Sequence, residues 1–181
     1  MPPLFLRMIS SLNKWDRENT YPWLAQGDIP ADPITDLKTS NNRLSVFQVN
    51  DGDEVRINKV VAGLAATKQK LNPVAYILFD VELPSRLGIQ VEKKNGNTGL
   101  EIVNDWHFEL IELSAQNLIL LTRHLLLNTD PDRKMEHEVA PLIMENVRAR
   151  ELDPNEMDER LRKDIAKFYK QDIEILFGHR D

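Results

Sequence analysis

The chain has 181 residues, with 23 basic and 29 acidic side chains and a formal net charge of −6 at neutral pH. This acidic balance, spread without a basic block, disfavours nucleic acid as a partner, because phosphate binding depends on clustered lysine and arginine. The absence of cysteine excludes disulfides, thiol nucleophiles and thiolate metal sites. The most apolar run, residues 118–127, is interrupted by Arg123 and His124 and is too short to span a bilayer. We therefore expect a cytoplasmic protein with no membrane contact.

Residues 1–42 form the first of three predicted segments, a proline-rich leader arm that docks on the core. This arm contains five of the ten prolines in the chain, and proline favours loops over regular elements. Trp15 and Trp23 are too apolar for a segment that stays in water. Two interpretations remain open: the indole rings pack on the chain's own core, or they anchor a partner, as aromatic side chains do at interface hot spots.

Residues 43–128 predict a mixed α/β core domain that begins with a strand, a helix and a second strand. The strands are the apolar runs at 44–49 and 74–79, and a helical stripe predicts the helix over 54–71. Asp53 is a suitable N-cap for that helix. Two strands joined in this way nearly always form a right-handed parallel crossover in one sheet. We therefore expect the two strands to lie side by side.

The rest of the core domain adds one strand and further helices. Residues 88–94 alternate apolar and charged side chains, which predicts a half-exposed edge strand with lysine and glutamate facing outward. Residues 106–113 fit either a helix or an alternating strand, and we favour the helix. Ser114 is a suitable cap for another helix over 115–127. The predicted fold class is thus mixed α+β: a small three-stranded sheet with a β-α-β crossover, covered by helices.

Residues 129–181 predict a charged helical C-terminal extension. Asp130-Pro131 and Asp153-Pro154 each place a capping carboxylate before a proline, which indicates the start of a helix. Between them, Pro141 is predicted to kink or break its helix, because proline removes a backbone hydrogen bond.

The favoured functional hypothesis is a non-catalytic interaction protein: a complex subunit, an inhibitor or an immunity-like partner. The sequence shows no nucleophile context, metal-ligand spacing or glycine-rich phosphate loop, so we expect no cofactor. Amphipathic C-terminal helices and the aromatic arm suit contact with another protein chain or a second copy of this one. The predicted partner-binding residues are Trp15, Trp23, Arg148, Arg150, Met157, Leu161, Ile165 and Phe168.

The alternative is a magnesium-dependent hydrolase or phosphotransferase. If the first two strands are parallel neighbours, Asp51 and Asp53 lie at the same sheet edge as Asp80, where ligands of open α/β sheets bind. Three close carboxylates repel one another unless a hard cation such as Mg²⁺ holds them, and that ion would activate a water or orient a phosphate. The structural interpretation of the same residues is a turn, a helix cap and a strand end.

Overall fold

The computed structural model describes residues 2–25, 27–37, 39–169 and 173–177. The chain divides into two compact units, and each is assembled from separate stretches of sequence. The sheet unit comprises Met1–Gly52, Ala75–Asn95 and Trp106–Arg133. The helical unit comprises Asp53–Val74, Gly96–Asp105 and Lys134–Asp181. Each unit therefore draws on more than one of the three predicted segments.

Six strands of the described residues form one sheet, in the spatial order β4-β5-β2-β1-β3-β6. Their bounds are β1 Pro3–Ile9, β2 Leu44–Asn50, β3 Val74–Asp80, β4 Gln90–Lys93, β5 His107–Ile111 and β6 Asp132–Lys134. The pairings of β1 with β2 and β3, and of β5 with β2 and β4, are all antiparallel. The mixed α+β class is confirmed, but the expected count of three strands is wrong.

Strand β1 lies between β2 and β3, so the predicted side-by-side pair is wrong. Phe5 of β1 is opposite Gln48 on one side and opposite Phe79 on the other. Since β2 and β3 are both antiparallel to β1, they run in the same direction without touching. Pro2 and Pro3 made the segment that forms β1 resemble a loop. Pro2 precedes the strand and Pro3 is its first residue, and proline is tolerated at the start of a strand.

The predicted edge strand is confirmed, and the predicted helix over 106–113 is wrong. Strand β4 is at one end of the sheet, and all four of its side chains are exposed. Residues His107–Ile111 form β5, which pairs with β2 and β4. Phe108 packs against Phe5 with ring centroids 5.6 Å apart. These contacts come from residues distant in sequence, which is why the local helical spacing did not decide the conformation.

The helices of the sheet unit are α1 Arg17–Thr20, α2 Ala31–Asp36, α4 Leu83–Arg86 and α6 Ala115–Asn128, with a 3-10 turn at Leu12–Trp15. One face of the sheet packs with α6 into a single apolar cluster that includes Phe5, Val46, Ile77, Leu110 and Leu121. The side chain of Ser114 accepts a hydrogen bond from the Asn117 amide and caps α6, as predicted.

The helical unit contains α3 Glu54–Ala66, α5 Glu101–Asn104, α7 Glu136–Arg148, α8 Glu159–Ala166 and α9 Ile173–Phe177, with a 3-10 turn at Pro154–Glu156. Helix α3 packs on α7. Asp130-Pro131 leads into β6 rather than a helix, and Asp153-Pro154 opens only the 3-10 turn. None of the helices within the described ranges is long and apolar enough to cross a bilayer.

Helix α7 continues through Pro141, so the predicted break is wrong. An interior proline costs a helix about 3 kcal/mol. Val139, Ile143 and Met144 are fully buried on the same helix, and each stabilises the buried conformation by about 1.5–3 kcal/mol. Burial therefore outweighs the lost hydrogen bond.

A buried carboxylate, Asp36, organises the sheet unit beyond its apolar cluster. Its side chain accepts hydrogen bonds from the Ser10 amide at 2.9 Å and from Trp15 Nε1 at 2.9 Å. Its negative charge also faces Arg7, which donates from Nη1 to the Ser45 carbonyl at 3.0 Å. Burial lowers the pKa of the Arg7 guanidinium to about 10, and Asp36 opposes this shift. The carboxylate thus joins the end of β1 to the 3-10 turn and to α2.

We expect Asp36→Ala to lower the free energy of unfolding by about 3 kcal/mol, because it leaves the Trp15 Nε1 and the Ser10 amide without their acceptor and removes the negative charge that stabilises the buried Arg7 guanidinium. Urea unfolding of both proteins measures the difference. Asp36→Asn is the matched control, since it keeps one acceptor oxygen and should cost less. Equal losses in the two variants would contradict this account.

Candidate functional site

Trp23 has the most exposed large apolar side chain that the structure describes, at 73%. It lies in the loop between α1 and α2. The ring of Tyr21 meets the indole edge-on, with centroids 6.2 Å apart and an interplanar angle of 88°. Tyr21 is itself buried and donates its hydroxyl to Asp32 Oδ2 at 3.3 Å. Burial, followed by the charge of Asp32, raises the pKa of Tyr21. The indole therefore contacts one buried aromatic ring while most of its surface meets solvent.

Two arginines hold the loop that carries Trp23. Arg17 donates from Nη2 to the Ala25 carbonyl at 3.1 Å, and Arg123 donates from Nη2 to the Gly27 carbonyl at 2.6 Å. Gly27 has a φ of +88°, and a Cβ there would lie 3.2 Å from the Arg123 Nη2 atom. A side chain at position 27 would thus be strained and would press on the arginine that fixes the loop. The backbone on the C-terminal side of Trp23 is therefore anchored at two carbonyl groups.

Trp15, the other predicted aromatic anchor, has a different environment. It is buried in the apolar cluster of the sheet unit, and its Nε1 is bonded to Asp36. Each of the two interpretations of the aromatic arm therefore fits one of its tryptophans. Trp15 packs on the chain's own core, and Trp23 is available at the surface.

The predicted partner-binding stripe on the C-terminal helices faces mostly inward. Met157, Leu161 and Ile165 are buried, whereas Phe168 is 48% exposed. Helix α8 is further fixed to α9, because Arg162 donates to the Leu176 carbonyl at 3.2 Å. The alternation of charge and apolar residues in this segment thus reflects one face in the interior and one in water.

The two predicted arginines near the end of α7 differ in their contacts. The Arg148 guanidinium lies over the ring of Tyr169, 5.4 Å from its centroid. Arg150 follows the helix with a φ of +60°, in the left-handed region. Its amide donates to the Val147 carbonyl, and the Glu151 amide donates to the Asn146 carbonyl. This is the position after a helix C-cap that glycine usually occupies, because any side chain there is strained.

A depression of about 340 Å³ in the helical unit adjoins Arg150. It is lined by Lys59, Leu100, Glu101, Ile102, Arg150 and Glu151. Lys59 Nζ pairs with Glu151 Oε2 at 2.6 Å. Leu100 is fully buried, whereas Ile102 is 44% exposed, so Ile102 provides the apolar surface that solvent reaches.

The three aspartates of the enzymatic alternative have separate structural contacts. Asp53 caps α3 by accepting from the Arg56 amide at 3.0 Å. Asp80 pairs with Arg86 at 3.0 Å and accepts from the Glu82 amide. Asp51 is exposed in the turn after β2.

The sheet register also separates Asp51 from Asp80. Asn50 and Asp80 are opposite Pro3 and Leu4 on the two sides of β1. The strand ends do lie at one edge, as expected, but they are two strand spacings apart, about 9.5 Å. Within the described ranges, no group of three acidic or histidine side chains is arranged to hold a metal ion.

The chain matches no protein-family model, no curated protein and no solved structure.

Several residues of these surfaces were absent from the sequence prediction. Arg17 binds a carbonyl group eight residues away and Arg123 one that is 96 residues away, and no local pattern indicates either contact. Ile102 and Lys59 line the depression beside Arg150. The strain at Arg150 was also hidden, since an arginine two residues beyond a helix end resembles any surface residue. A signal for Ile102 was present: it lies outside the stripe of Val103, Trp106 and Leu110.

We expect Arg150→Gly to raise the free energy of unfolding by about 1 kcal/mol, because glycine adopts the left-handed conformation without strain. Urea unfolding measures the change. Arg150→Ala is the matched control: it removes the same guanidinium, keeps a Cβ in the strained conformation and should give no gain. A similar effect of both substitutions would refute the strain argument.

We also expect Asp53→Ala to lower the free energy of unfolding by about 1 kcal/mol through loss of the α3 cap. Asp51→Ala, two residues away and exposed, should change it by less than about 0.5 kcal/mol. Thermal and urea unfolding of both variants, with and without Mg²⁺, provide the comparison. Stabilisation of the wild-type chain by Mg²⁺ that both substitutions abolish would instead support the magnesium alternative.

Proposed function

We propose that this chain is a non-catalytic protein-protein interaction protein that binds its partner through Trp23. A complex subunit, an inhibitor or an immunity-like partner would act in this way. The observation that carries the proposal is a fully presented indole on a loop that two arginine hydrogen bonds hold in place.

The energetics of the indole favour a binding role. A tryptophan side chain buries about 150–250 Å² when it is covered. At about 25 cal/mol per Å², this contributes about 4–6 kcal/mol before the costs of association. One of those costs is the ordering of the binding loop. The hydrogen bonds to the Ala25 and Gly27 carbonyls reduce it, because they order the loop in the free chain.

The partner's chemistry follows from the same geometry. Tyr21 contacts the indole on one side, and 73% of the Trp23 side chain is left for a partner. A partner pocket lined by aliphatic or aromatic side chains, with an acceptor for the indole Nε1, would match this surface. The C-terminal helices proposed from the sequence contribute chiefly Phe168, since the other three stripe residues are buried.

The magnesium-dependent hydrolase or phosphotransferase stays a prediction. Asp53 and Asp80 already accept hydrogen bonds from backbone amides, and these contacts explain both residues without a metal. Calorimetric titration with Mg²⁺ separates the two functions: heat of binding that disappears in Asp80→Asn would favour the enzyme.

We expect Trp23→Ala to weaken partner binding by about 30-fold, which corresponds to the loss of about 2 kcal/mol at an interface hot spot. The 181-residue chain is used to capture its partner from cells that produce it, and the affinity of the purified pair is then measured by calorimetry. Light scattering measures the molar mass of the purified chain and shows a dimer if the partner is a second copy of it.

Val91→Ala is the matched control, because Val91 is another exposed apolar residue of the sheet unit and lies on edge strand β4. It should leave the affinity unchanged, and neither substitution should change the unfolding free energy by more than about 0.5 kcal/mol. A monomer that captures nothing, or a partner bound equally well by Trp23→Ala, would overturn the proposal.

A further inference from the structure

We infer that the depression beside Arg150 is a second binding site, which takes a partner segment with one acidic side chain next to an aliphatic one. This inference goes beyond the proposed role of Trp23, because the depression lies within the helical unit and shares no residue with the Trp23 loop.

The first observation is the strain at Arg150. A non-glycine residue in the left-handed conformation costs about 1–2 kcal/mol relative to glycine, yet this position carries an arginine. Strained backbone of this kind concentrates at binding sites. Arg150 is one of the residues that line the depression, so the strained position belongs to the proposed site.

The second observation is the charge state of the lining. The Arg150 guanidinium has no hydrogen bond or ion pair with any residue that the structure describes. Lys59 and Glu151, by contrast, neutralise each other at 2.6 Å. Of the two cationic residues in the lining, Arg150 is therefore the one without an anionic partner among the described residues. Its planar guanidinium can bind a carboxylate through two parallel hydrogen bonds.

The third observation is the apolar part of the lining. Leu100 and Ile102 lie in the same depression as the arginine, and Ile102 is partly exposed. An aliphatic side chain next to the acidic one would cover the exposed part of Ile102. Glu101 also lines the depression and has no ion pair among the described residues. Its charge disfavours a run of acidic residues, so a single carboxylate flanked by neutral or basic residues is the best match.

The test uses the full chain and a random peptide library displayed on phage through the peptide C-termini, so that only side-chain carboxylates are offered. Selected peptides are then synthesised with amidated ends, and their affinities are measured by fluorescence anisotropy. We expect them to share one aspartate or glutamate beside a leucine, isoleucine or valine. Arg150→Ala and Arg150→Gly should each weaken their binding at least about tenfold.

The glycine variant keeps the test informative, because it is expected to be more stable than the wild-type chain and a loss of binding cannot then come from unfolding. Trp23→Ala should bind these peptides as the wild type does. Selected peptides without an acidic residue, or peptides that bind Arg150→Gly with unchanged affinity, would overturn the inference. So would a selection that yields no peptide.

The outcomes also separate this inference from the proposed function. Loss of peptide binding in Arg150→Ala with retention in Trp23→Ala supports the second site, whatever the natural partner does. Peptides whose binding is lost only in Trp23→Ala would contradict the second site and would leave the proposed function intact.

Discussion

The sheet depends on one constraint, the insertion of β1 between β2 and β3. Phe5 has cross-strand neighbours on both sides, and the Asp51 amide continues the pairing by donating to the Pro2 carbonyl at 2.9 Å. Without β1, the backbone groups on the facing edges of β2 and β3 would have no partners, and each unpaired buried group costs about 1–3 kcal/mol. The positions of the apolar cluster and of both strand-end aspartates follow from this one strand.

Local signals in the sequence predicted helix caps and the edge strand. They did not predict the sheet topology, because it depends on pairing between residues far apart in the chain. Ser114 and Asp53 were identified as helix caps because capping needs only residues within one turn. The edge strand was identified from its alternation of valine with charged residues. The predicted topology was wrong because β1 carries Arg7 amid its apolar residues and begins at the second of two prolines. No local pattern shows that this strand pairs on both sides. The helix predicted at residues 107–111 was wrong for the same reason: these residues form a strand because they pair with β2, which is distant in sequence.

For the candidate sites, too, the sequence indicated some residues, and the structure was needed to identify the role of others. Trp23 was predicted from its residue type alone, and its exposure was left open until the structure distinguished it from Trp15. The importance of Arg150 depends on a backbone dihedral, which a sequence does not reveal when arginine stands in place of glycine. At this position the residue best for stability and the residue suited to bind a carboxylate differ, and that difference is a usual mark of a functional position.

The central strand also has a kinetic consequence. Phe5 must pair with both Gln48 and Phe79, so the middle of the sheet closes only after long stretches of chain have been ordered. Loop closure of this kind slows folding, because entropy is lost before the contacts form. Until it occurs, β2 and β3 expose open apolar edges that other copies can join. The refolding yield of this chain should therefore fall as its concentration rises, while the stability of the folded form stays constant.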